Sequence, residues 1–569
     1  MAPSTSAPQG VAPTFDIRPI ADVAADLGLA PEHVIPYGRD KAKIDRKAFD
    51  APPRGKGRLV LVSAINPTPA GEGKTTTSIG LAMGLRRLGE SVVACLREPS
   101  LGPVFGVKGG GTGGGRASLH PAEDINMHFT GDIHAITSAN NLLSALVDNA
   151  LHFRQTFGGK GRLDPRGISW ARALDMNDRS LRNVMVGLGG KLDGVPRQER
   201  FDITAASEVM AVLALARDQA DLETRLGRII VGTNELFAPI TSSDLGGARA
   251  MAAVLRDALL PNLVQTLEGG PAIVHAGPFA NIAHGCNSIV ATELGMRLAD
   301  YVITEAGFGF DLGGEKFLDI KCRALGVWPR ALVLVATLRA LKMHGGSPVK
   351  TAGAPNAEAL SKGTEHLVHH LETAHTLGLP AVVAINRFPD DSDDEVAQLQ
   401  REAIKVGANV VVSTGFAKGG EGGIELARAI VEICKGNDAS PPPPRFSYEL
   451  SDPLPLKIEK VAKLFYGADK IELSSRAEKD IARIVALGGG ELPVCMAKTQ
   501  LSLTDDPTKA GRPRGFTIHV REVRLSAGAG FAVALTGDMM TMPGLPREPA
   551  AWNIHVDETG HIRGLMQND

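Results

Sequence analysis

The stretch Thr68-Pro-Ala-Gly-Glu-Gly-Lys-Thr-Thr-Thr77 follows the apolar run Arg58-Leu-Val-Leu-Val-Ser-Ala-Ile65 and precedes the helix-patterned Ser78-Ile-Gly-Leu-Ala-Met-Gly-Leu-Arg-Arg-Leu88. This order reads as strand, phosphate-binding loop and helix. In such a loop glycines let backbone N–H groups turn toward phosphate oxygens, Lys74 brings a cation to the β- and γ-phosphates, and the Thr75 hydroxyl can ligate Mg2+. Thr68, Pro69, Ala70, Gly71, Glu72, Gly73, Lys74 and Thr75 are therefore the expected nucleotide-binding residues. Thr68 stands where the usual pattern has its first glycine, and Gly89 stands where the helix should stop. The competing reading is a plain strand-to-helix turn that uses glycine for geometry alone.

The rest of the chain supplies the frame for this loop. A chain of 569 residues exceeds what one core sustains, so several domains are expected. Lys plus Arg (61) nearly cancels Asp plus Glu (63), which argues against a broad nucleic-acid or anionic-membrane footprint. The five cysteines are scattered, suggesting neither a zinc ribbon nor a disulfide framework, and they fit a reducing cytoplasm. Neither a signal peptide nor an apolar run long enough to span a membrane is recognised.

Apolar runs at 59–65, 91–96, 184–188, 228–231, 272–275, 301–304, 332–336 and 381–385 alternate with helical patterns. That alternation predicts an α/β fold: a phosphate-loop-type, mainly parallel sheet flanked by helices, with smaller additional α/β domains. The expected divisions are a disordered tail (1–14), a nucleotide-binding domain (15–330), a second α/β domain (331–445) and a C-terminal α/β domain (446–569). The run Ser440-Pro-Pro-Pro-Pro444 marks the last boundary, because prolines neither continue a helix nor donate hydrogen bonds. A helix is expected from about Asp22, further helices at 457–464 and 475–487, and strands at 516–523 and 531–535.

Ligands of open parallel sheets sit beyond the carboxyl ends of the strands, so the loops there carry the chemistry. Arg97, after the second run, offers forked donors to a phosphoryl or carboxylate group; the alternative is a surface pair with Glu98. Lys108-Gly-Gly-Gly-Thr-Gly-Gly-Gly-Arg116 reads either as a flexible linker or as an anion nest or lid that orders only with substrate. His120, His128, His134, His275 and His284 stand in polar stretches without metal-ligand spacing, so no zinc site is expected. Glu305 ends an apolar strand and is a candidate Mg2+ carboxylate, in competition with Asp175 and Asp178. Phe388 and Phe416 lie in loops where two rings could clamp a flat substrate, each contact worth on the order of 1 kcal/mol; equally, they could be loop anchors.

Together the phosphate loop, Glu123-Asp-Ile-Asn-Met-His-Phe-Thr-Gly-Asp132, Phe279-Ala-Asn-Ile-Ala-His-Gly-Cys-Asn287 and Pro493-Val-Cys-Met-Ala-Lys-Thr-Gln500 resemble formate–tetrahydrofolate ligase in its monofunctional form. Thr304-Glu-Ala-Gly-Phe-Gly309, Leu341-Lys-Met-His-Gly-Gly346 and Thr536-Gly-Asp-Met-Met-Thr-Met-Pro-Gly544 extend the likeness to nearly everything after the tail. The resemblance implies an ATP-dependent ligase: formate attacks the γ-phosphate of MgATP, giving formyl phosphate and ADP, and N10 of tetrahydrofolate takes the formyl group. It places catalysis on Lys74 and Arg97 and folate binding on Phe388 and Phe416. It further implies a homotetramer activated by a monovalent cation, K+ or NH4+.

Phe416 departs from the tryptophan common in the family, Phe310 from a small residue, and Leu501 from a frequent tyrosine. The missing first glycine of the phosphate loop is itself a family trait. Two other readings are a different phosphate-loop carboxylate-activating ligase, similar to dethiobiotin synthetase, and a regulatory phosphate-loop ATPase. The latter usually carries a second lysine where Thr68 and Pro69 stand here.

Overall fold

The computed structural model describes residues 15, 17–69, 71–106, 110–537 and 539–565. The expected tail, Ala70 of the phosphate loop and Lys108 of the glycine-rich stretch lie outside the described residues. The spine is one sheet with strands β1 (Val34–Pro36), β2 (Ala42–Ile44), β3 (Arg58–Ala64), β4 (Val92–Leu96), β5 (Asn262–Thr266), β6 (Pro271–Val274), β7 (Tyr301–Glu305), β8 (Ala331–Ala336), β9 (Ala381–Asn386) and β10 (Asn409–Ser413). Their spatial order is β1-β2-β5-β6-β4-β7-β3-β8-β9-β10. From β6 to β10 every pairing is parallel, while β1, β2 and β5 add an antiparallel edge. Strands β8 to β10 continue the sheet that carries the phosphate loop, with β8 bonded directly to β3.

The central strands are buried on both faces, which is why they read as unbroken apolar runs. Leu59 and Leu61 enter one core with Leu332, Leu334, Val383 and Ile385. The alternate residues Val60 and Val62 enter another with Val333, Val335, Val382 and Ala384. Two of the expected strands lie elsewhere. Val184–Val186 forms an antiparallel ribbon with Arg197–Glu199, and Ile230–Asn234 belongs to a small sheet with Pro239–Thr241 and Leu163–Ile168. Apolar composition alone does not specify which strand a segment will pair with.

Helices α1 (Ile20–Asp26), α2 (Lys74–Arg87), α3 (Asp132–His152), α4 (Ala357–Thr376) and α5 (Ile424–Gly436) cover the sheet and the neighbouring lobe. Helix α2 is buried from Thr76 to Leu85, and ends where Gly89 turns left-handed while Glu90 N–H bonds Leu85 O at 3.1 Å. Beyond the proline run, β11 (Val494–Ala497), β12 (Glu522–Ser526) and β13 (Phe531–Leu535) form a three-stranded sheet. Its alternation divides it between cores. Met496, Ala532 and Ala534 pack with the main sheet, whereas Cys495, Phe531, Val533 and Leu535 pack with α3 and the helical lobe.

One close approach fixes the site's far wall. A Cβ on Gly84 of α2 would stand 2.6 Å from Gly423 O, and one on Gly423 would stand 2.1 Å from Gly80 O, so backbone meets backbone where α2 crosses the start of α5. Gly84→Ala should lower stability by about 1–3 kcal/mol through this overpacking, read as a shift of the urea midpoint. An unchanged midpoint would mean that α5 can retreat freely.

Candidate active site at the phosphate loop

Gly71 and Gly73 both hold left-handed φ angles, +73° and +72°, which open the loop between β3 and α2. Thr68 N–H donates to Glu72 Oε1 at 2.6 Å, and Gly71 N–H donates to Thr68 O at 3.0 Å. Asn386, the last residue of β9, braces the loop by donating its amide to Glu72 O at 3.1 Å. The brace leaves no room beside it, since a Cβ on Gly73 would lie 2.1 Å from Asn386 Nδ2. The first turn of α2 opens onto the loop without a side-chain cap, so its N–H groups could meet an anion there. Burial pushes the Lys74 ammonium below its ordinary pKa, Glu72 and Glu305 draw it back up, and Arg97 opposes them. A phosphate placed there would favour the charged form.

Three adjacent strands converge on this loop. Thr75 Oγ1 donates to Glu305 Oε2 at 2.9 Å, and Arg97 Nη2 lies 3.9 Å from Glu305 Oε1. Glu305 is only 5% exposed, so these partners compensate a buried carboxylate. Arg97 also approaches Pro278 O at 3.5 Å, and a Cβ on Gly307 would crowd its guanidinium at 2.9 Å. Arg97 thus turns toward the loop and forms no surface pair with Glu98 among the described residues; Glu98 is itself buried. The two competing carboxylates are engaged elsewhere. Asp175 accepts from Ser100 Oγ and Leu101 N–H at 2.5 and 2.9 Å, and Asp178 caps the turn at Ser180.

The loop aromatics leave neighbouring strand ends, for β9 and β10 pair Asn386 with Ser413. Phe388 is part-buried, with the Arg339 guanidinium 4.4 Å above its ring. Phe416 is 40% exposed and its carbonyl accepts from Arg116 N–H at 2.8 Å. A Cβ on Gly114 would lie 3.1 Å from the Phe416 ring and 3.6 Å from Thr76 Oγ1, so the glycine-rich stretch runs between that ring and the first turn of α2. The described part of this stretch makes close contacts at its start. Gly111 N–H donates to Asn126 Oδ1 at 2.7 Å, and Cβ atoms on Gly110 and Gly111 would strike Asn126 and Pro99.

A family model described as formate–tetrahydrofolate ligase matches residues 8–566. The chain belongs to this family. It is 60% identical over 553 residues to the formate–tetrahydrofolate ligase of Myxococcus xanthus, covering 97% of this chain and all of that protein. Proteins of the same name from Paracoccus denitrificans and Symbiobacterium thermophilum are each 54% identical, with 96% and 97% of this chain aligned to 98% of theirs.

Several site-building residues of this family member were not evident from sequence. Asn386 and Asn126 act through side-chain bonds to distant backbone, which no spacing announces. The histidines expected in polar stretches are partly internal. His275 is buried between Ser288 Oγ and Ala258 O at 2.6 and 2.7 Å, His284 is buried, and His134 lies on α3. Phe310 fills the core against Phe465, with ring centroids 5.7 Å apart, and Leu501 is exposed. Gly73→Ala should abolish ATP binding by calorimetry while leaving the circular dichroism spectrum unchanged, since its Cβ meets Asn386 and its φ is strained. Normal ATP affinity in this variant would show that the loop can be rebuilt without the left-handed turn.

Proposed function

We propose that the convergence of Lys74, Thr75, Arg97 and Glu305 serves the ATP-dependent joining of formate to tetrahydrofolate through formyl phosphate. The observation that supports it most is that β3, β7 and β4 are neighbours, so that loop, carboxylate and guanidinium open together at one edge. A formate oxygen attacks the γ-phosphorus, the bond to the β–γ bridging oxygen breaks, and ADP leaves. N10 of tetrahydrofolate then attacks the formyl carbon, phosphate departs, and N10 loses its proton to give 10-formyltetrahydrofolate. Lys74 and the N–H groups of α2 balance charge on the phosphates, and Arg97 holds formate and then formyl phosphate in line.

Thr75 Oγ1 and Glu305 form an oxygen-only donor pair, which suits Mg2+ bound with ATP. When present, Mg2+ neutralises phosphate charge. Phe388 and Phe416 flank the route to the acceptor and would hold the flat part of folate; with a phenyl ring in place of indole the second contact is smaller. The reading also includes activation by K+ or NH4+ and a homotetrameric assembly, both carried from the family, and a cytoplasmic location, which rests on the scattered cysteines. Among the described residues no helix is long and apolar enough to cross a membrane.

Mixing the protein with MgATP, formate and tetrahydrofolate and then acidifying should develop the methenyl chromophore, and Lys74→Ala and Arg97→Ala should each lower its rate of formation at least about a hundredfold. ATP hydrolysis without formate dependence, and no chromophore, would overturn the reading. Phe416→Ala should raise the tetrahydrofolate KM about three- to tenfold and leave the ATP KM in place. An unmoved tetrahydrofolate KM would remove Phe416 from the folate site.

A further inference from the structure

Asn66 lies two residues beyond β3 on the way to the phosphate loop, and its backbone N–H, its carbonyl and its side-chain amide nitrogen are all bonded from a distance. Its side-chain amide donates to Asp311 Oδ2 and to Gln500 O, each at 3.2 Å. Its backbone meets two histidines. The Asn66 N–H donates to His366 Nε2 at 3.3 Å, and His344 Nε2 lies 3.0 Å from Asn66 O. The same two rings reach the backbone of Gly511, in the loop after β11. His366 Nδ1 lies 2.8 Å from Gly511 O, and Gly511 N–H donates to His344 Nδ1 at 3.4 Å. The rings stack at 4.1 Å with planes 15° apart.

These partners determine the protons. A carbonyl only accepts and an N–H only donates, so His344 carries its proton on Nε2 and His366 carries its proton on Nδ1. Both rings are neutral, in opposite tautomers. A second proton on His344 would face the Gly511 N–H, and one on His366 would face the Asn66 N–H. The other titratable groups around the pair are His369 and His370 of α4, Asp311 and Lys498. His370 Nε2 lies 3.3 Å from His366 Nε2, and Asp311 is ion-paired to Lys498 at 2.8 Å. Burial pushes His344, His366 and His369 below the ordinary histidine range and His370 to about 3, which keeps the pair neutral near pH 7.

We propose that His344 and His366 are positioning residues for the phosphate loop. Two stacked neutral imidazoles in opposite tautomers tie the Asn66 peptide groups to those of Gly511 and so set where the loop leaves the sheet. The C-terminal segment thereby helps to shape the nucleotide site from behind. This inference rests on reading residues 68–75 as the ATP site.

The amide of Asn reaches where a histidine Nδ1 sits, and that of Gln where Nε2 sits. His344→Gln and His366→Gln therefore keep the bond to Asn66 and lose that to Gly511, while the Asn variants do the reverse. Each of the four variants breaks the tie at one end, so each should raise the ATP KM, by up to about tenfold, while the tetrahydrofolate KM stays in place in all four. An ATP KM unmoved by loss of the bonds at either end, or parallel rises for both substrates, would show a merely structural role and overturn the proposal. Formate-independent ATP hydrolysis by the wild type would instead defeat the ligase reading. Should the variants not fold, neutron diffraction from wild-type crystals at pH 7.5 decides. It should place a single proton on His344 Nε2 and a single one on His366 Nδ1; any other protonation overturns the proposal.

Discussion

The register of β7 on β3, which sets Glu305 opposite Val62, is the constraint on which the site depends. A slip of one residue would turn the carboxylate to the other face of the sheet and away from Thr75. Packing prevents that slip, because the alternate residues of both strands fill two different cores and neither face tolerates exchange. With β4 on the other side of β7, the same register brings Arg97 to Glu305. The polar centre is thus positioned by apolar strands that do no chemistry.

Around this centre the structure uses two devices that work at very different ranges. Glycines 80, 84 and 423 bring α2 against the chain leading into α5, which seats the Phe416 loop against α2. Buried polar links cross between distant segments: Asp311 with Lys498, and the imidazole pair with Asn66 and Gly511. Such links stabilise little once desolvation is counted, but they are costly to break singly, so they favour one arrangement over near alternatives.

The strand–loop–helix at residues 58–88 and the parallel sheet were legible because their signals are local. Strand periodicity, glycine punctuation and a Gly-Lys-Thr all lie within about two dozen residues. Partner choice was less legible. The segments at 184–188 and 228–231 have strand composition, yet they pair within small side sheets, since what a strand bonds to depends on the whole fold. Asn66 and His366 are separated by 300 positions, beyond any pattern a window can hold. One hint was present: His366, His369 and His370 recur at three- and four-residue spacing on one helix face. A search for metal-ligand spacing passes over histidines that serve as hydrogen-bonded spacers.

The sheet of β11, β12 and β13 has one face in each of two cores, and this has a bearing on how the chain is made. During synthesis the ribosome releases strands β3 and β4 hundreds of residues before β13, and neither core has its full lining until Phe531–Leu535 emerges. The earlier segments can form helices and begin to pair strands, but they leave apolar surface uncovered until the last portion arrives. The strand Phe531–Leu535 thus closes a structure whose most recognisable motif lies hundreds of residues earlier.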